Sequence, residues 1–183
     1  MILIVGDSLS AEYGLARGSG WVSLLDARLA QALLSATVVN ASVSGDTTAG
    51  GRSRLPDLLR RHQPAVVVIE LGGNDALRGL PLDMTRDNLS DMVGQSRRAG
   101  ARVLLLGMQV PPNYGRAYAT EFSTLFQRVA KQDGAALVPF LLRGVADVTH
   151  AASLFQADRI HPNEKAHPII LANVWPVLSP LLR

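Results

Sequence analysis

Continuous apolar runs alternate along this chain with stretches in which apolar residues recur every three or four positions. The first run, Ile2-Leu3-Ile4-Val5, is short, branched and stopped by Gly6, which predicts a buried strand. Thr37–Ala41, Val66–Leu71, Val103–Met108 and Ala136–Phe140 predict four more. Val66–Leu71 is the clearest, a β-branched run between Pro64 and Gly72-Gly73. Helical periods lie between the strands. Trp21–Leu34 places Trp21, Leu24, Leu25, Leu29, Ala32 and Leu33 on one face. Arg54–Arg61 predicts a short helix turned inward on Leu55, Leu58 and Leu59. Thr85–Ala99 predicts a helix stopped by Gly100, and Tyr118–Gln132 one that ends before Gly134. A last helix is expected from near Asn163 to about Leu182, strained or broken at Pro168 and Pro176. Gly144–Ile160 carries no clear period.

Strand–helix alternation of this kind predicts an α/β fold, a parallel sheet of about five strands with helices on both faces. In such sheets the ligand crevice lies outside the carboxyl ends of the strands. With no internal repeat, low-complexity tract or linker, residues 1–183 are expected to form one domain.

Composition narrows the function classes. Apolar residues make up 48% and charged residues 18%, a globular balance that needs no disulfide or metal to fold. The formal charge of +3 is spread out. Arg60-Arg61 and Arg97-Arg98 close expected helices, where cations suit the dipole, and read as solvated helix ends rather than a nucleic-acid footprint. The absence of cysteine removes thiol chemistry and thiolate metal sites. No apolar run approaches the ~18 residues of a membrane span, and Met1–Val5 is too short for a signal-peptide core. Nothing in the chain indicates an oligomeric state.

Polar and glycine residues collect where strands end: Gly6-Asp7-Ser8-Leu9-Ser10, Ser44-Gly45-Asp46-Thr47 and Gly72-Gly73-Asn74-Asp75, with Asp158-Arg159-Ile160-His161-Pro162-Asn163 near the carboxyl end. Acyl transfer needs a nucleophile, a base, an orienter for the base and donors for an oxyanion. Ser8 follows a strand at a glycine turn, so its hydroxyl can stand at the strand tip. His161 is a suitable general base, since imidazole titrates near ~6.5 in water. Asp158, three residues earlier, is within one turn of chain of the far imidazole nitrogen. Pro162 restricts His161 to extended backbone. The Ser8 N–H, the Gly45 N–H and the Asn74 amide make three oxyanion donors. Asp7 is expected to brace its turn, Asp46 and Asp75 to be local loop braces, and Ser10, Ser42 and Ser44 to be turn or packing residues. His62, His150 and His167 are expected on the surface or in structural roles, and Trp21 and Trp175 in the core. The G-x-S-x-G elbow is absent, and the acid and base lie close together, so the usual α/β-hydrolase pattern does not fit.

These four blocks, in order across nearly the whole chain, resemble the SGNH, or GDSL-type, hydrolase family. Its Ser, Gly, Asn and His correspond to Ser8, Gly45, Asn74 and His161. The segments Val39–Thr47, Glu70–Asp75 and Pro112–Arg116 are most similar to the bacterial thioesterase I/lysophospholipase/arylesterase branch. The resemblance implies a flavodoxin-like three-layer α/β/α sandwich, no metal and no cofactor. It also implies a small acyl ester or thioester as substrate. Ala76–Pro81 would be a mobile loop beside the acyl site, supplying Ala76, Leu77, Arg78, Gly79 and Leu80 to its lining. Pro111, Pro112, Asn113 and Tyr114 would line the acyl crevice. The branch is often periplasmic, which would apply if a leader has been removed; a chain complete as given would be cytoplasmic. Two other readings compete: a metal-dependent phosphoesterase on Asp46, Asp75, Asp158, His161 and His167, though no metal-binding spacing is present, and a non-catalytic nucleotide-binding module, though no G-x-G-x-x-G or P-loop follows a strand.

Overall fold

The computed structural model describes residues 1–183, the side chain of Pro112 excepted. Five strands form one all-parallel sheet: β1 (Ile2–Gly6), β2 (Val38–Asn40), β3 (Val66–Glu70), β4 (Arg102–Leu106) and β5 (Ala136–Val138). Their spatial order is β2-β1-β3-β4-β5. The chain leaves β1 toward one edge and returns past it to β3, so the strand order reverses between β1 and β3. Ligands of doubly wound sheets bind at this switch point. Both β1 and β3 are buried along their whole length, as continuous β-branched and Leu runs require when helices cover both faces.

Six helices accompany the sheet: α1 (Trp21–Gln31), α2 (Thr48–His62), α3 (Gly73–Leu77), α4 (Leu82–Arg98), α5 (Arg116–Asp133) and α6 (His167–Leu178). Helices α1 and α6 pack together on one face, and α2, α4 and α5 pack in series on the other. The outcome is the expected three-layer sandwich. Trp21, Phe122 and Phe126 are among the largest fully buried side chains, and truncating such an aromatic to Ala costs about 3–5 kcal/mol in a core. No helix among the described residues is long and apolar enough to cross a membrane.

The structure corrects several expected elements. Helix α1 ends at Gln31, because Leu33 turns left-handed (φ 55°) and donates to the Ala30 carbonyl. Leu33 is therefore 91% exposed rather than on the core face. Helix α2 begins at Thr48 instead of Arg54. The Thr47 hydroxyl caps it by accepting from Gly50 N at 3.3 Å, while Gly50, Gly51 and Pro56 dilute its apolar period. Gly73–Leu77 is helical, so Ala76 and Leu77 lie on α3 and not in a loop; Ala76 is buried. Pro168 sits in the first turn of α6, where proline is tolerated, and Pro176 lies inside it without ending it. Trp175 is only partly buried, with the Arg28 guanidinium 5.1 Å over its ring. Gly100 and Gly134 do stop α4 and α5, with φ of 86° and 72°.

Candidate active site

Ser8 stands in the turn that follows β1. Asp7 organises that turn: its carbonyl accepts from Ser10 N and Ala11 N, and its Oδ1 accepts from Leu9 N at 3.0 Å. This brace was expected of Asp7. Its burial was not, and burial pushes its carboxyl up to about 6.

His161 and Asp158 come from the loop before α6. Phe155 and Pro162 form an antiparallel bridge, and Gln156 N donates to the His161 carbonyl at 2.8 Å. Gln156 Nε2 ties the loop to the carbonyls of Pro162 and Tyr13 at 3.0 and 2.8 Å. Asp158 closes a tight turn, its Oδ1 accepting from Ile160 N and His161 N at 3.0 Å each. Its Oδ2 lies 2.6 Å from His161 Nδ1, and His161 Nε2 lies 2.9 Å from Ser8 Oγ. A carboxylate at Nδ1 selects the tautomer with hydrogen on Nδ1, which leaves Nε2 to accept from the serine hydroxyl. The His161 hydrogen bond, followed by the two backbone donors, holds the Asp158 carboxyl down at about 2. The Tyr13 ring covers the imidazole, with centroids 4.4 Å apart. The three side chains of the expected relay, from two distant stretches of chain, are thus brought into one hydrogen-bonded line.

The expected oxyanion donors follow β2 and β3. Gly45 has φ of 80°, a conformation that favours glycine, and its carbonyl accepts from Arg78 Nη2 at 2.7 Å. Asn74 lies in the first turn of α3. Its Nδ2 donates to Asp7 Oδ2 and to the Asp46 carbonyl, both at 2.9 Å, so both amide hydrogens have partners inside the protein. Asp75 braces more than its own loop. It is buried, and its carboxylate accepts from Thr48 N at 2.9 Å, from the Thr48 hydroxyl, and from Thr85 Oγ1 at 3.3 Å. It therefore pins α3 to the starts of α2 and α4.

Among the expected lining residues, Leu77, Arg78 and Gly79 are exposed and Leu80 is half-buried, with Arg78 tied to Gly45. Pro111 and Asn113 are exposed. Tyr114 stacks on Tyr118, whose ring continues through Phe122 to Phe126 along α5. The side chain of Pro112 lies outside the described residues. Asp46 pairs with Arg54 at 2.8 Å, and buried His167 accepts from Trp21 N at 3.0 Å, so His167 is structural. Among the described residues no three His, Asp or Glu side chains group as metal ligands.

The sequence assigned no site role to Glu70 or Tyr13, and Ser10 was expected only as a turn or packing residue. Glu70 offered a signal, as a carboxyl at the end of an otherwise apolar buried strand. Ser10 and Tyr13 offered none, because their partners are remote in sequence.

Comparison with known proteins gives a consistent lineage. The chain is 54% identical over 181 residues to the Esterase TesA of Pseudomonas aeruginosa, covering 99% of this chain and 89% of that one. It is 40% identical over 181 residues to the Thioesterase 1/protease 1/lysophospholipase L1 of Escherichia coli K12, covering 99% and 84%. The crystal structure of TesA superimposes with a TM-score of 0.94 at 53% identity, over 98% of each chain. The model of the GDSL-like Lipase/Acylhydrolase family matches residues 4–169. The chain belongs to the GDSL-like lipase/acylhydrolase family, as its four ordered blocks imply.

Proposed function

We infer that this protein is one catalytic domain that hydrolyses small acyl esters and thioesters through an acyl-enzyme on Ser8. The observation that carries the reading is the continuous line from Asp158 Oδ2 through His161 to Ser8 Oγ, with steps of 2.6 and 2.9 Å. The names of the relatives, an esterase and a thioesterase/lysophospholipase, support the bond type.

His161 Nε2 takes the hydroxyl proton as Ser8 Oγ attacks the acyl carbonyl carbon. Asp158, ionised down to about pH 2, holds the imidazole in place and balances the charge it gains. The oxyanion accepts from Ser8 N, Gly45 N and Asn74 Nδ2. Asn74 supplies its bond by turning one hydrogen from the Asp46 carbonyl, since hydrogen bonds in a resting site commonly rearrange in the substrate complex. His161 then delivers the proton to the departing oxygen or sulfur. Water repeats the sequence on the acyl-serine, releasing the acid and restoring Ser8. The phosphoesterase reading is disfavoured by side chains committed elsewhere: Asp46 to Arg54, Asp75 to Thr48 and His167 to Trp21.

The test is a fluorophosphonate probe combined with turnover of p-nitrophenyl esters and acyl-CoAs of graded chain length. One label on Ser8 is expected, and Ser8→Ala should lower kcat by ~10⁴–10⁶. Near-normal turnover by Ser8→Ala refutes the assignment. The chain-length panel ranks the substrates.

A further inference from the structure

Glu70 is the last residue of β3 and is 0% exposed. The acyl-transfer scheme leaves it without a task. Its Oε2 accepts from Ser10 Oγ at 2.8 Å and from Asp7 N at 3.3 Å, the two residues on either side of the Ser8 turn. Ser10 Oγ in turn accepts from Trp21 Nε1 at 3.2 Å. Glu70 Oε1 has no protein partner. The packing here is close. A Cβ on Gly6 would lie 2.9 Å from Glu70 Oε2 and 2.9 Å from Ser10 Oγ, so β1 passes the carboxyl only as glycine.

The charged groups around it are few. Asp7 is the neighbouring carboxyl, and His161 acts on Asp7 through its charge. Arg54 reaches the Gly6 carbonyl at 3.4 Å, but its Nε is held by Asp46. Trp21, Ser10 and Asn74 are neutral. No cation contacts Glu70, and an unpaired buried carboxylate beside a second carboxylate is strongly disfavoured.

We propose that Glu70 is a positioning residue that carries a proton, so that a neutral Glu70 and an ionised Asp7 together hold the Ser8 turn from below and aim the Asn74 amide. The catalytic consequence rests on the acyl-transfer reading above; the protonation of Glu70 does not. Burial raises both carboxyls, Glu70 well above its ordinary 4.5 and Asp7 to about 6, and the Asp7 charge raises Glu70 further. Asp7 accepts from Leu9 N and Asn74 Nδ2, donors that favour its ionised form, whereas Glu70 Oε1 has no donor, which puts the proton on Glu70. Ionised Asp7 is then the acceptor for Leu9 N and for Asn74 Nδ2. With both carboxyls ionised, their repulsion would act directly on the turn that carries the nucleophile.

Glu70→Gln and Glu70→Leu separate the roles, since Gln reproduces a neutral carboxyl and Leu only its bulk. Glu70→Gln should keep kcat within about threefold, while Glu70→Leu should lose ~10–100-fold in kcat with KM little changed, the pattern of a misaimed oxyanion donor. Infrared spectra at about pH 8 should show a protonated-carboxyl band that Glu70→Gln abolishes, because ordinary carboxyls are ionised there. Stability gives a third readout. The folded value is raised, so the folded state holds the extra proton and wild-type stability falls as pH climbs above 4.5. The urea midpoint of Glu70→Gln should gain on wild type over that range.

A missing band, or a midpoint difference that does not change with pH, overturns the proton on Glu70. A kcat loss in Glu70→Gln as large as in Glu70→Leu shows that charge is needed and also overturns it. Wild-type kcat in Glu70→Leu overturns the positioning role. If Glu70→Leu does not fold, Ser10→Ala replaces it, and unchanged kcat there is equally fatal. The band and the midpoints need no turnover, so they stand or fall separately from the Ser8→Ala result.

Discussion

Asn74 donates to the Asp7 carboxylate at 2.9 Å across 67 residues of sequence, joining the turn after β3 to the turn after β1. These two strands are neighbours at the point where the strand order reverses. The bond therefore ties the turn of the proposed nucleophile, Ser8, to a proposed oxyanion donor across the crevice that the fold creates. The bond to Asp7 fixes where the amide sits, so that only the hydrogen on the Asp46 carbonyl has to turn toward an oxyanion.

Asn74→Ala removes that donor and Asp7's partner together. The expected outcome is a kcat lower by ~10²–10³ with a near-normal KM, as for deletion of one oxyanion donor. Steady-state kinetics on a short-chain p-nitrophenyl ester measures it. A loss under about tenfold would remove Asn74 from the role.

Asp158→Asn keeps the size of the side chain but offers Nδ1 an amide in place of a carboxylate. The wrong tautomer is then favoured, and kcat should fall by ~10³–10⁴ while the protein remains folded. The pH dependence has a definite sign. The folded value is lowered from 3.8 to about 2, so the bond's contribution to stability is present above the unfolded value and is lost as pH falls from 3.8 through about 2. Acid-unfolding curves of wild type and Asp158→Asn should differ above pH 4 and converge below that window. Curves offset equally at every pH would contradict the Asp158–His161 bond. The side chain is 37% exposed, so solvent screening makes the offset modest.

Gly45→Ala tests whether the glycine serves the backbone or only leaves space. A Cβ there would meet nothing nearer than Arg78 Nη2 at 3.8 Å, so there is no clash, but φ is 80°. The expected cost is that of the left-handed backbone, about 1 kcal/mol by urea unfolding. A cost near zero would mean that the conformation is not strained for alanine. A loss of kcat larger than that stability change would mark displacement of the Gly45 N–H itself.

Much of the proposed catalytic constellation was legible in one dimension because strand tips concentrate it. An apolar run that stops at Gly-Asp-Ser, and another that stops at Gly-Gly-Asn-Asp, each announce a side chain at the rim of a parallel sheet. Asp158 and His161 could be paired on the page because three residues of chain are short enough to close a carboxylate onto an imidazole. Helix boundaries were less legible where local residues oppose the helix. Thr48–Gly51 begins a helix despite two glycines, held by the Thr47 hydroxyl and the Asp75 carboxylate. Leu33 fits the apolar period of α1 and is nonetheless exposed, because the chain had already turned away.

The fold class and the parallel sheet could be read from the chain alone, along with the candidates for the reacting groups, since these depend on local period and residue chemistry. Only the tertiary structure decided which polar groups meet: Glu70 with Ser10 and Asp7, Asn74 with Asp7 and Asp46, Tyr13 over His161. The physical reason is distance along the chain. A hydrogen bond is set within a few tenths of an ångström, and Glu70 and Ser10, sixty positions apart, reach that separation through the register of β1 against β3.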